Sequence, residues 1–144
     1  MRLAFMDESK FQRLIFVELM PRENILAFLS LCKVMLRTFP WGGCVTTFEA
    51  FSFKVPVVIL PSKVTVEQLT LGQIRVLGLE DELVGNSIDD YIDKAVRIGT
   101  DKIWRDGIVK VICSKVSELF GEEVLRRVVN EWESFLLRVS GGIA

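Results

Sequence analysis

Short apolar runs alternate along this chain with segments whose apolar residues recur every three or four positions. That alternation predicts strands interleaved with helices. Residues 13–18, Arg-Leu-Ile-Phe-Val-Glu, are β-rich and bounded by charge, which predicts a first strand. Pro21 stands where a helix begins, with Glu23 in its first turn and Ile25, Leu26, Phe28, Leu29 and Cys32 as its apolar face. A second strand over about 33–38 leads into Gly42 and Gly43. The helix that follows, about 46–54, ends before Val55-Pro56, because a residue preceding proline avoids the helical region. Val57-Val58-Ile59-Leu60 is then an apolar run suited to a strand covered on both faces.

Further along, a helix over about 65–77 stops at Gly78, a suitable residue just past a helix end, and Leu83-Val84 makes a short fourth strand. Ser87 with Asp90 has capping-box spacing and opens a helix to about Ile98. Thr100 caps another, in which Ile103, Trp104, Ile108 and Ile112 share a face. The last helix, about 122–139, carries Val124, Leu125, Val128, Val129, Trp132, Phe135, Leu136 and Val139 at helical spacing. Together these elements predict an α/β fold, a doubly wound parallel sheet of about four strands with a C-terminal helical tail.

A chain of 144 residues, half of them apolar, is the size of one domain and can bury a core. Eighteen basic and nineteen acidic residues give a net charge of −1, so no basic patch points to nucleic acid. There is no histidine, which removes Ser-His and Cys-His catalysis and most zinc sites. Cys32, Cys44 and Cys113 lack C-x-x-C spacing and read as reduced thiols of an intracellular protein, cytoplasmic or nuclear. The apolar runs are of strand length, so no transmembrane helix is expected, and Asp7 and Glu8 interrupt any signal sequence.

The chemistry gathers at Gly42-Gly43-Cys44-Val45-Thr46-Thr47. Glycines turning the chain from a strand into a helix present free N–H groups and a positive dipole end to an anion, with threonine hydroxyls beside them. A tight turn with an ordinary cap fits the same spacing. The turn is no P-loop, since no G-K-[ST] follows. Glu49, three residues after Thr46, has capping-box spacing, and one turn inside a phosphate-binding helix a carboxylate can also accept both hydroxyls of a ribose. Cys44 reads as a packing residue, and Arg22 as a solvated charge or a contact to a base or phosphate. Gln68, Thr70 and Gln73 either line a cleft or are exposed. The acidic cluster of Glu80-Asp81-Glu82 and Asp89-Asp90 lacks metal-ligand spacing, and Trp104 and Trp132 read as core.

Thr38-Phe39-Pro40-Trp41-Gly42-Gly43-Cys44-Val45-Thr46-Thr47-Phe48-Glu49-Ala50, followed by Val55-Pro56-Val57-Val58, resembles the donor-binding segment of O-linked N-acetylglucosamine transferases. Ala95-Val96-Arg97-Ile98-Gly99-Thr100-Asp101 with Trp104-Arg105 is similar to that family's next helical signature. The resemblance covers about residues 12–138. It implies the C-terminal, UDP-sugar-binding half of a GT-B glycosyltransferase, inverting and metal-independent, with UDP-N-acetylglucosamine as donor, protein Ser or Thr as acceptor and no cofactor. By position, Cys44, Val45 and Thr46 stand where the family contacts the diphosphate, flanked by Gly43 and Thr47. Glu49 stands where an acidic residue holds the ribose, and Arg22 where a basic residue lies by the uracil.

Departures accompany the matches. Cys44 replaces a frequent His or Gly, Val45 a frequent Thr, Ile25 a ring that lies on the base, and Lys54 the usual Gly before Val-Pro. The four strands match the third to sixth of the six expected in such a domain. The resemblance therefore implies a single partial domain over 1–144, with the catalytic residues and the acceptor-binding repeats in an N-terminal half not contained in these residues. It also leaves a sheet edge open to pairing with another chain. Two other readings remain: a non-catalytic remnant acting as an interaction module, and another GT-B transferase sharing the E-A-x5-P pattern.

Overall fold

A computed structural model of the chain describes residues 13–38, 43–61, 63–64 and 68–141. Among them run seven α-helices, one 3-10 turn and two short parallel strands. Helix α1 (Arg22–Leu29) leads to strand β1 (Met35–Leu36), α2 (Val45–Ser52) crosses over, and β2 (Val57–Val58) returns beside β1. The register pairs Met35 with Val57 and Leu36 with Val58. Backbone bonds from Met35 N to Pro56 O (2.9 Å) and from Arg37 N to Val58 O (3.0 Å) extend the ladder at both ends.

The strand β2 is the centre of the molecule. Val57 and Val58 are inaccessible, as an apolar run without alternation requires when both faces are covered. Phe51 and Ala50 of α2, Ile74 and Leu77 of α3 (Leu69–Leu77), Leu83 of α4 (Glu80–Leu83), Ile98 of α5 (Ile88–Thr100) and Ile112 of α6 (Lys102–Lys115) close around it. Gly78 ends α3 in the left-handed conformation (φ 67°). Lys54 does the same after α2 (φ 63°), where Lys54 N and Val55 N donate back to Phe51 O and Ala50 O. A lysine thus holds a conformation that glycine usually takes.

Two of the four expected strands are replaced. Residues 14–20 form no regular element, and Ile15 and Leu19 are 86% and 102% exposed. β propensity makes no strand where no ladder receives the backbone groups, and the sheet of described residues is β1–β2 only. The fourth strand shrinks to one parallel bridge, Ile59 with Val84. Glu80, Asp81 and Glu82 favour the first turn of a helix, and α4 winds up through Leu83 before the chain can extend.

The helical half follows the sequence more closely. Ser87 Oγ accepts from Asp90 N and caps α5. The cap of α6 is Asp101, whose carboxylate accepts from Trp104 N at 3.0 Å; Thr100 is the last residue of α5 and bonds Val96 O instead. The corner between them is locked by Arg105 on Ile98 O (2.7 Å) and by Arg97 stacked 4.2 Å from the Trp104 ring. Ile108 and Ile112 are buried, whereas Ile103 points to solvent. After the 3-10 turn Val116–Leu119, Gly121 (φ 110°, ψ 166°) starts α7 (Glu122–Val139). No residue of α7 is buried, and Trp132, expected in a core, is 60% exposed. Among the described residues no helix is long and apolar enough to cross a membrane, and no cluster of acidic or cysteine side chains has metal-holding geometry.

Candidate functional site

The crossover from β1 to α2 carries most of the residues singled out from the sequence. Cys44 occupies the N-cap position of α2 with no side-chain cap bond. The capping-box reading of Thr46 and Glu49 is therefore replaced: neither threonine is the cap, and Glu49 bonds elsewhere. As in any helix, the N–H groups of Val45, Thr46 and Thr47 have no intrahelical acceptor. They point, with the positive dipole end, out of the turn.

Glu49 lies one turn inside α2 and receives Arg22 from the first position of α1. Arg22 Nε and Nη2 stand 2.8 and 2.7 Å from Glu49 Oε1. Two residues 27 positions apart, assigned from the sequence to the ribose and base ends of a nucleotide, thus meet in one ion pair. Arg22 is largely exposed while Glu49 is mostly covered, so the carboxylate is fixed and the guanidinium can be displaced. Beside them opens a cleft of ≈ 500 Å³ with Arg22, Val45, Phe48, Glu49, Phe120 and Leu125 in its walls, a volume in the range of small-ligand sites. Phe48 and Phe120 form its apolar floor, with ring centroids 5.3 Å apart.

Beneath the turn, buried hydroxyls do the positioning. Thr70 Oγ donates to Gly43 O at 2.6 Å and lies 3.1 Å from Thr47 Oγ. Gln73, also buried, reaches Cys44 O with a long contact of 3.4 Å. Thr70 and Gln73 are therefore supports beneath the site rather than exposed polar residues, whereas Gln68 is exposed. Thr47 faces this layer, while Thr46 faces the outside of the turn.

The residue that sequence reasoning passed over is Arg37. It directly follows β1, is 9% exposed, and lays its guanidinium across Gly43 while Nη1 donates to Thr46 Oγ at 2.9 Å. A Cβ on Gly43 would fall 1.6 Å from Arg37 Nη1, so a side chain there would displace the guanidinium from this position. Burial holds the Arg37 guanidinium below its ordinary pKa, against an opposing pull from Cys44. The Tyr91 hydroxyl donates to Arg37 O at 3.0 Å, and burial pushes that phenol up. A lone charge at a strand end carries no sequence mark separating it from a solvated one. Gly42, at the head of the expected turn, lies outside the described residues.

A family model described as glycosyl transferase family 41 matches residues 3–125. A probable UDP-N-acetylglucosamine–peptide N-acetylglucosaminyltransferase SPINDLY of Solanum lycopersicum is 32% identical over 72 residues, 50% of this chain and 8% of that protein. A UDP-glucose:protein N-beta-glucosyltransferase of Actinobacillus pleuropneumoniae serotype 5b is 27% identical over 78 residues, 54% of this chain and 13% of that protein. The solved structure of an O-GlcNAc transferase mutant of Thermobaculum terrenum superposes with a TM-score of 0.63 at 31% identity, covering 69% of this chain and 19% of that one. The chain thus spans roughly a tenth of the length of the curated relatives it matches. Helix α7 lies almost wholly beyond the family match.

Proposed function

Because this chain belongs to glycosyl transferase family 41, whose model matches residues 3–125, we propose that it is the UDP-sugar-binding part of a protein glycosyltransferase. The donor is UDP-N-acetylglucosamine, its diphosphate seated on Gly43, Cys44, Val45 and Thr46 at the start of α2. Thr47 holds the turn from below. Glu49 accepts the ribose hydroxyls, and Arg22 swings from the carboxylate to the uracil.

The observation that carries this reading is the Arg22–Glu49 pair at the mouth of the cleft, next to the N-terminus of α2. In the proposed reaction a Ser or Thr hydroxyl of a protein attacks the anomeric carbon from the face opposite UDP. The bond to the β-phosphate oxygen breaks with inversion, and its electron pair leaves on UDP. The N–H groups of α2 act where that charge develops. No metal or cofactor enters the step. The base and the acceptor-binding elements belong to residues outside these 144, so the chain binds donor without turning it over.

Calorimetric titration of the purified chain with UDP and UDP-N-acetylglucosamine tests the proposal. Saturable heat is expected, weakened in Glu49→Ala with the fold retained. A folded sample giving no heat at millimolar ligand would sink it. The relatives' names pair different sugars with peptide or protein, so UDP-glucose belongs in the same titration. A second reading, a non-catalytic interaction module, is favoured by α7, which buries none of its residues, and by β1, which has a single ladder neighbour among the described residues. Pairing with another chain through that edge accompanies this reading. It gains if the chain binds no UDP-sugar.

A further inference from the structure

Arg37 is a buried cation in an unfavourable place. Its backbone is fixed on both sides, N–H on Val58 O and C=O under the Tyr91 hydroxyl. Its guanidinium lies across Gly43. Of the five N–H donors of a guanidinium, the structure engages Nη1, on Thr46 Oγ, and Nε is buried with no acceptor. Among the described residues no carboxylate pairs with it; the ion pairs present involve Arg22, Arg75, Lys94, Arg97 and Lys102. The same guanidinium sits at the positive end of α2, where the helix dipole repels a cation. An unpaired buried charge and a like-signed helix end both become favourable once an anion joins them.

We propose that Arg37 is the counter-charge of an anion seat at the N-terminus of α2, taking two oxygens of a diphosphate on its guanidinium while the helix N–H groups take the others. The identity of the anion as the donor's diphosphate rests on the donor reading above; the existence of the seat does not. A fork of parallel donors suits phosphate oxygens, and the guanidinium lies against Gly43 and Thr46, beside the first turn of α2. The seat also accounts for Thr46, whose hydroxyl holds the guanidinium in place.

The test uses the full chain, with inorganic pyrophosphate, UDP and uridine as probes, read by calorimetry and by thermal melting. Pyrophosphate and UDP should bind the unaltered chain and raise its Tm. R37M should bind both about tenfold more weakly or worse, the loss typical of a charge-assisted contact to phosphate. Its ligand-free Tm should be unchanged or higher, because a purely structural arginine would lower it. Should R37M fail to fold, R37Q, which keeps a donor for Thr46, carries the same comparison. Pyrophosphate binding that is equal in the neutral variant, or absent from the unaltered chain, overturns the proposal. Pyrophosphate bound through Arg37 with UDP no tighter leaves the seat standing and removes the donor reading. E49Q separates the two further, losing uridine and the added affinity of UDP while keeping pyrophosphate.

Discussion

The hydroxyl chain beneath the turn makes a directional prediction. Thr70 donates to Gly43 O at 2.6 Å, so its lone pairs remain for Thr47, which donates across 3.1 Å. Thr47 has a second acceptor, Gly43 O, at a weak 3.4 Å. Thr70→Val removes one bond outright and strips Thr47 of its acceptor, within a layer where both threonines are at most 1% exposed. Leaving buried polar atoms unsatisfied costs about 1–3 kcal/mol, partly offset if Thr47 turns to Gly43 O. Thr47→Val removes only one donor and leaves the shorter bond intact, for about 1 kcal/mol. The double variant should cost little more than Thr70→Val alone, since one interaction cannot be lost twice. Chemical denaturation of the four proteins at fixed pH, with the slope checked for constancy, supplies the cycle. A larger loss for Thr47→Val than for Thr70→Val, or strict additivity, would refute this reading of the hydrogen positions.

Three other expectations follow from the same structure. Gly43→Ala puts a Cβ 1.6 Å from Arg37 Nη1, so the guanidinium must leave Thr46. Because the group displaced is the far end of a flexible side chain, the expected loss by thermal melting is at most about 1 kcal/mol, that of the Arg37–Thr46 hydrogen bond. Asp90 is held below the ordinary carboxylate range, first by the Asn86 N–H and then by Lys94. Its contribution is present above the unfolded carboxylate pKa and fades as pH falls through the lower folded value. The loss of stability between neutral and acid pH should therefore be shallower in Asp90→Asn, seen in melts across pH 2–6. Truncating the chain after Leu125 removes a segment in which every described residue is exposed, so the melting temperature should hold, and any concentration-dependent association seen by sedimentation for the full chain should decline.

The sequence made the crossover legible because its signals are local. Pro56 bounds a strand, Gly78 ends a helix, and Ser87 with Asp90 starts one; each acts within a turn of chain. The resemblance reached the family through the same contiguous segment. What escaped was set by distant neighbours. Residues 13–18 have strand propensity, but a strand needs a ladder, and propensity does not supply one. Thr70 and Gln73 look like exposed polar residues until Gly43 and Cys44 arrive above them. Arg37 looks like a solvated charge until its guanidinium comes to lie across Gly43 and on Thr46. The apolar stripe of α7 was legible as a stripe, and what it faces was not.

Gly121 adopts φ 110° and ψ 166°, a region open to glycine alone. It therefore acts as an aiming joint. Eighteen residues of helix beyond it make a lever about 27 Å long. A re-orientation of roughly 30° at that joint sweeps the far end through about 14 Å on that rise per residue, while the buried interior about β2 stays as it is. The heading of the C-terminal arm is thus tuned by one codon, and because Leu125 of that arm stands in the wall of the cleft at its base, turning the joint also reshapes the cleft.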